Sequence, residues 1–301
     1  MMAGLPKNVF VGTAGWSYPD WEGIFYPVKK PRGFDELRYI ARYFNTVELN
    51  NTFYRPPLAN YAKRWVERTA DAGRFHFTLK LWQRFTHERG EPYTAKDLGV
   101  FKEGIEPLAA SDRLGGILMQ FPWGFQNTPE NAAYLERLSA DFADYRRFIE
   151  VRHRSWQNEE ALDFFRQLGL NWTNIDQPVS RTSVRPSAVV TGDAAYVRLH
   201  GRNAKAWFDR DAGRDERYNY LYSDDELDEW VEKIRLLVGT VDFVYAITNN
   251  HFRGQAPANS LQIMSKLTGA AVDVPETLTG TYPFLRDIAR TDTADRTGRL
   301  F

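Results

Sequence analysis

Eight short runs of β-branched and aromatic residues recur along the chain, separated by stretches with helical spacing. They are "VFVGT" (9–13), "TVELN" (46–50), "FHFTLK" (75–80), "GGILMQF" (115–121), "RFIEV" (147–151), "NWTNID" (171–176), "AYVRLH" (195–200) and "FVYAIT" (243–248). Amphipathic helices are expected at 34–44, 58–72, 128–142 and 223–238. The last places Leu227, Trp230, Val231, Ile234 and Leu237 at three- and four-residue intervals, and Ser223 with Glu226 forms a capping box at its start. Strands alternating with helices predict parallel pairing through crossovers, and eight such units predict a single (β/α)8 TIM barrel over 1–270. Residues 271–301 repeat no such unit and read as a C-terminal extension that packs on the barrel or frays from it. A doubly wound open sheet is the competing architecture. Against it, the opening turn "GTAGWSY" lacks G-x-G-x-x-G spacing and no phosphate loop follows.

Charge narrows the partners. Lys plus Arg and Asp plus Glu number 39 each in 301 residues, so the basic excess of a duplex-DNA or anionic-membrane binder is missing. The lack of cysteine excludes disulfides, thiolate nucleophiles and cysteine-ligated metals. The start "MMAGLPKNVFVGTAGW" has no signal-peptide pattern, and no run approaches the roughly 20 apolar residues of a membrane span; a cytoplasmic protein is expected.

Catalytic groups of a barrel cluster at the carboxyl ends of its strands, where residues two apart share a face. Seven of the eight runs end in polar or ionisable residues. These are Glu48 and Asn50, Lys80, Gln120, Glu150 with Arg152, Asn174 and Asp176, Arg198 and His200, and Asn249 beside Asn250. A satisfied structural plug is the plain alternative, since Glu48, Glu150 and Asp176 balance Lys80, Arg152 and Arg198. Trp16, Trp21, Trp82, Trp123, Trp156 and Trp207, with Phe53 and Tyr54, follow strands in the βα loops. Most are expected to pack the loops, and a few to rim a ligand.

The favoured chemistry is metal-independent acid–base catalysis by an enzyme of hydrolase or isomerase type. Its substrate would be a small sugar-like or anionic metabolite, phosphorylated ones included, and no cofactor is required. Glu48 and Glu150 would be acid and base, His200 an auxiliary proton carrier, and Lys80, Arg152 and Arg198 an anion clamp. Asn50, Gln120, Asn249 and Asn250 would orient hydroxyl groups. An alternative is a Mg, Mn or Zn site on Glu150, Asp176 and His200, opposed by Arg152 and Arg198 on the same faces. A third is a non-catalytic barrel that binds a ligand or nucleic acid through "RHRSW" (152–156) and "RNAKAWF" (202–208). A Schiff base at Lys80 would require neighbours that depress its pKa; an ion-paired ammonium is the default expectation.

The segments "VGTAGWSYPDWEGIFYP", "FNTVELNNTFYRPP", "LGGILMQFPWGF", "FIEVRHRSW", "YVRLHGR" and "ITNNHFRGQAPANSLQI" together closely resemble the YecE-like family, domain of unknown function 72. The resemblance spans residues 9–268 in six ordered motifs and implies a TIM-barrel fold. It implies no particular reaction. It matches at Gly12, Gly15, Glu48, Asn50, Lys80, Gln120, Pro122, Glu150, Arg152, Arg198, His200, Gly201, Asn249, Asn250 and Asn259. It also covers Trp16, Phe53, Tyr54, Trp156, Asp176 and Tyr218, which join the candidate substrate-binding set. One departure is Trp82–Gln83, where the family pattern has a smaller residue and a proline.

Overall fold

The structure, a computed structural model, describes residues 4–209 and 211–290. All eight runs are strands: β1 Val9–Ala14, β2 Thr46–Leu49, β3 His76–Lys80, β4 Leu114–Gln120, β5 Arg147–Glu150, β6 Asn171–Asp176, β7 Ala194–Leu199 and β8 Phe243–Thr248. They pair in parallel in chain order, and β1 closes on β8. The protein is a TIM barrel.

Parallel neighbours need a crossover, so the helices lie outside the sheet. The helix Asp224–Val238 starts at the expected capping box: Ser223 Oγ accepts from Glu226 N, and the Glu226 carboxylate accepts from Ser223 N. Its five spaced apolar residues are all buried. Ala59–Arg68, Ala95–Ala110, Pro129–Asp141, Glu159–Gln167 and Gln255–Thr268 are the other long helices among the described residues. The β6–β7 connection, 177–193, carries no helix.

Inside the barrel, Phe10, Leu118, Phe148, Tyr196, Tyr245 and Ile247 form one buried cluster. His76 stacks on Phe10 at 4.1 Å, and the Arg74 guanidinium lies 4.0 Å from the same ring. Phe10, His76 and Tyr245 lie toward the amino-terminal end, while Leu118 and Ile247 pair with Lys80 and Arg198 at the level of the ionic side chains. Leu278 and Leu285 of the C-terminal extension are fully buried, and its Val272 bridges to Ala289. The frayed end expected near 301 lies outside the described residues. No helix among the described residues is long and apolar enough to cross a membrane.

The helix Ala95–Ala110 reaches the Ala59–Arg68 layer through Gly104, where an added Cβ would stand 1.9 Å from the Pro57 carbonyl oxygen. Gly104→Ala is therefore expected to lower stability by at least about 1–3 kcal/mol, the usual range for overpacking. Gly99, in the same helix, has nothing within 4 Å of such a Cβ. Gly99→Ala should instead raise stability by roughly 0.5–1 kcal/mol through helix propensity. Urea denaturation of the two variants reads this opposite pair of signs.

Candidate active site

Register decides which strand-end residues face the interior, because paired residues of parallel strands point to the same side. Glu48 pairs with Thr78, Lys80 with Leu118, and Gln120 with Glu150, all on the inner face. Thr173 pairs with Tyr196 and Ile175 with Arg198, so the inner parity of β6 is odd and continues to Gln177. Asn174 and Asp176 pair with Val197 and Leu199 on the outer face. There Asp176 accepts from Arg202 Nε at 2.9 Å, and Asn174 binds Ser187 and Val189 of the β6–β7 connection. This differs from the sequence expectation, which placed Asp176 at the mouth. The alternative metal set Glu150, Asp176 and His200 is consequently not assembled. Among the described residues no group of three or more acidic or imidazole side chains is gathered for a metal.

The floor of the carboxyl end is one buried ionic network. Arg198, 2% exposed, donates Nε and Nη2 to Glu48 at 2.9 and 2.6 Å, and Nη1 to Glu150 at 2.9 Å. Glu48 Oε2 also accepts from Tyr196 Oη at 2.7 Å, and that hydroxyl lies 2.8 Å from Thr78 Oγ1. Arg152 holds Glu150 Oε1 from the mouth side at 3.1 Å. Burial pushes the Glu150 pKa up, but Arg198, followed by His200 and Arg152, outweighs it and holds the carboxyl well below the usual range. One guanidinium thus occupies the space between Glu48 and Glu150 that a scissile glycosidic bond would need. Two carboxylates face two guanidiniums, so this floor is close to charge balance.

His200 is fully buried. Its Nδ1 lies 2.9 Å from Asn249 Nδ2, and an amide nitrogen only donates, so the imidazole proton sits on Nε2. Nε2 is 3.4 Å from Glu150 Oε1 and makes no hydrogen bond. Burial lowers its pKa to about 3, with Arg198 adding to the effect against the pull of Glu150, so the ring is neutral at physiological pH.

Lys80 differs from its neighbours. It ends β3 on the inner face and is only half-buried. Among the described residues it makes no salt bridge or side-chain hydrogen bond; its Nζ stands 4.3 Å from the Phe53 ring. The single-turn helix Asn51–Phe53 delivers that ring, and Thr52 Oγ1 ties the turn to the Lys80 carbonyl at 2.7 Å. Burial, assisted by Arg198 and opposed by Glu48 and Glu150, lowers the Lys80 pKa to about 7. The ion pair expected for this ammonium is not found among the described residues.

The aromatic residues divide. Trp207 lies 5.8 Å from His200 and under the Arg152 guanidinium at 5.4 Å; Tyr218 is 5.8 Å from Trp207 and 6.3 Å from His200. These two form a wall beside the ionic floor. Trp156 is instead fully buried, stacks on Phe125 and donates Nε1 to its carbonyl, so it packs loops. Trp21 is likewise buried, with Nε1 on the His251 carbonyl. Trp16 meets Trp65 edge-on, and its carbonyl accepts from Tyr26 Oη. Tyr54 is 65% exposed beside Phe53. Asn50 and Gln120 lie at the carboxyl ends of β2 and β4. Asn250 belongs to the outer layer, donating to the Tyr220 carbonyl and to Asn259. In the basic stretches Arg152 binds Glu150 and Arg202 binds Asp176 and Glu226, while Arg154 and Lys205 are exposed.

Gln177 escaped the sequence reading. It is 2% exposed and both its side-chain polar atoms lack partners among the described residues. Tyr196 was also missed, since nothing local marks an aromatic in mid-strand as a carboxylate partner. Gln177 shares odd parity with Thr173 and Ile175, and only the pairing of β6 with β7 shows that parity to be the inner one.

A family model described as "Protein of unknown function DUF72" matches residues 10–281. The chain belongs to the DUF72 family. It is 31% identical over 272 residues to the UPF0759 protein YunF of Bacillus subtilis, covering 86% of this chain and 94% of that protein. It is 29% identical over 194 residues to the UPF0759 protein YecE of Escherichia coli K12, covering 62% of this chain and 65% of that one. Among solved structures, a DUF72 protein of Thermotoga maritima superposes with a TM-score of 0.75 at 34% identity, covering 86% of this chain and 98% of the other. A DUF72 protein of Enterococcus faecalis gives 0.76 at 27% identity, covering 88% and 97%. These DUF72 structures share the barrel architecture; their descriptions assign no reaction.

Proposed function

We propose that this DUF72 protein is an enzyme acting on a small anionic, sugar-like metabolite by metal-independent acid–base chemistry at the carboxyl end of the barrel. The observation that carries this reading is the placement of Lys80, which among the described residues is a half-buried amine without a counter-ion beside a charge-balanced floor, with burial lowering its pKa to about 7. A proton-transfer group works best when its pKa lies near the operating pH. The lysine is therefore assigned the proton-carrying role, and in its charged form it supplies the surplus positive charge that draws an anion. Glu48 and Glu150, engaged by Arg198, are assigned to fixing the field and geometry of the site rather than to exchanging protons directly. Neutral His200 offers an Nε2–H donor, and Trp207 with Tyr218 offers a face for a sugar ring.

Thermal-shift and native mass-spectrometric screening against small phosphorylated sugars and hydroxy acids tests the reading. At least one such anion should raise the melting temperature of the wild-type protein, and Lys80→Met should abolish that shift. Identical shifts in both proteins would remove Lys80 from the site and the proposal with it.

A further inference from the structure

The geometry points to a covalent role for Lys80: we propose that it forms an imine with a small anionic ketone. This deepens the function proposed above, since it takes the same mouth and the same class of anion. Three features support the covalent step. The amine ends β3 on the inner face and, among the described residues, has no carboxylate within salt-bridge distance to hold it as an ion pair. The nearby carboxylates are already engaged by Arg198 and Arg152, so neither is free to pair with the amine and hold it as an ammonium. Gln177, buried with both side-chain polar atoms unpartnered among the described residues, follows β6 on its inner parity at the carboxyl end and offers a donor and an acceptor there.

The step balances without an outside oxidant. The neutral Lys80 nitrogen attacks the carbonyl carbon, a C–N bond forms, and the C=O π pair moves to oxygen. One amine proton passes to that oxygen, giving a carbinolamine. Protonation of its hydroxyl by a solvent proton lets the C–O bond break and water leave, while the nitrogen lone pair forms C=N. The nitrogen keeps its remaining proton. The net change is amine plus ketone plus one proton giving iminium plus water.

Reductive trapping tests the assignment. Wild-type and Lys80→Arg proteins are incubated at pH 7 with sodium cyanoborohydride and either dihydroxyacetone phosphate or pyruvate, then mapped by mass spectrometry. Lys80 should carry the reduced adduct at least about tenfold above any other lysine, as its larger free-amine fraction requires. Glycerol 3-phosphate and lactate, which lack the ketone, should slow labelling without being trapped. Labelling of Lys80 with both ketones no faster than of surface lysines overturns the proposal. If these anions nevertheless shift the melting temperature of the wild type and not of Lys80→Met, only the covalent step falls. If neither adduct nor shift occurs, the acid–base reading falls with it.

Discussion

Replacing Arg198 with methionine is expected to remove about 3–5 kcal/mol of folding free energy, a large share of what a domain possesses. The guanidinium is 2% exposed and donates three short hydrogen bonds to two carboxylates that are themselves fully buried. With the arginine gone, Glu48 keeps Tyr196 and Glu150 keeps Arg152, but neither retains enough positive charge to offset its desolvation. The triple variant Glu48→Gln, Glu150→Gln, Arg198→Met should recover at least half of the loss, because it removes the uncompensated charges together with their partner. Urea denaturation midpoints of the two proteins give the comparison. A loss below about 1 kcal/mol in the single variant would mean that water solvates these carboxylates, as for a surface ion pair.

Lys80→Met should act in the opposite direction on stability. The folded pKa of about 7 lies below the roughly 10.4 of a lysine in an unfolded chain. Between those values the unfolded chain binds more protons, so wild-type stability rises with pH across this window. Below pH 7 the whole penalty of holding the ammonium in this site operates, and above about 10.4 it has vanished. Methionine removes the penalty. The variant should therefore exceed the wild type by on the order of 3 kcal/mol at pH 6, partial solvation keeping this below the full linkage value. The difference should shrink to near zero by about pH 10.5. Turnover of any substrate identified by screening should fall by roughly 10²–10⁴-fold. Equal stability of the two proteins at pH 6 would show an ordinary, solvated lysine.

Gain in stability with loss of activity is the pattern expected of a functional group held where folding alone would not place it. A residue kept only for packing would lose both.

Much of the carboxyl-end cluster was legible before any coordinates. Glu48, Lys80, Glu150, Arg198 and His200 follow from strand ends and two-residue parity, and the structure places all five on the inner face. Asn174 and Asp176 were misplaced by the same rule, and Asn250, named for standing beside Asn249, faces the outer layer. The strands of a closed parallel barrel are buried on both faces, so they show no polar–apolar alternation from which parity could be read. In β6 the conspicuous polar residues, Asn174 and Asp176, serve the outer layer, while the inner parity carries Thr173, Ile175 and the unnoticed Gln177. Trp156 misled for a related reason: position in a βα loop does not say whether a ring faces the mouth or the loops beneath it.

What the sequence determined by itself was the succession of strands and helices, because β-branched runs, helical spacing and the Ser223–Glu226 cap are local signals. Tertiary structure alone decided which charges meet. Arg198 joins carboxylates 150 and 48 residues away along the chain, and Lys80 is left with an aromatic ring for company. Those pairings depend on barrel closure and register, and Coulomb energy between buried groups depends on separation in space, which residue order does not encode.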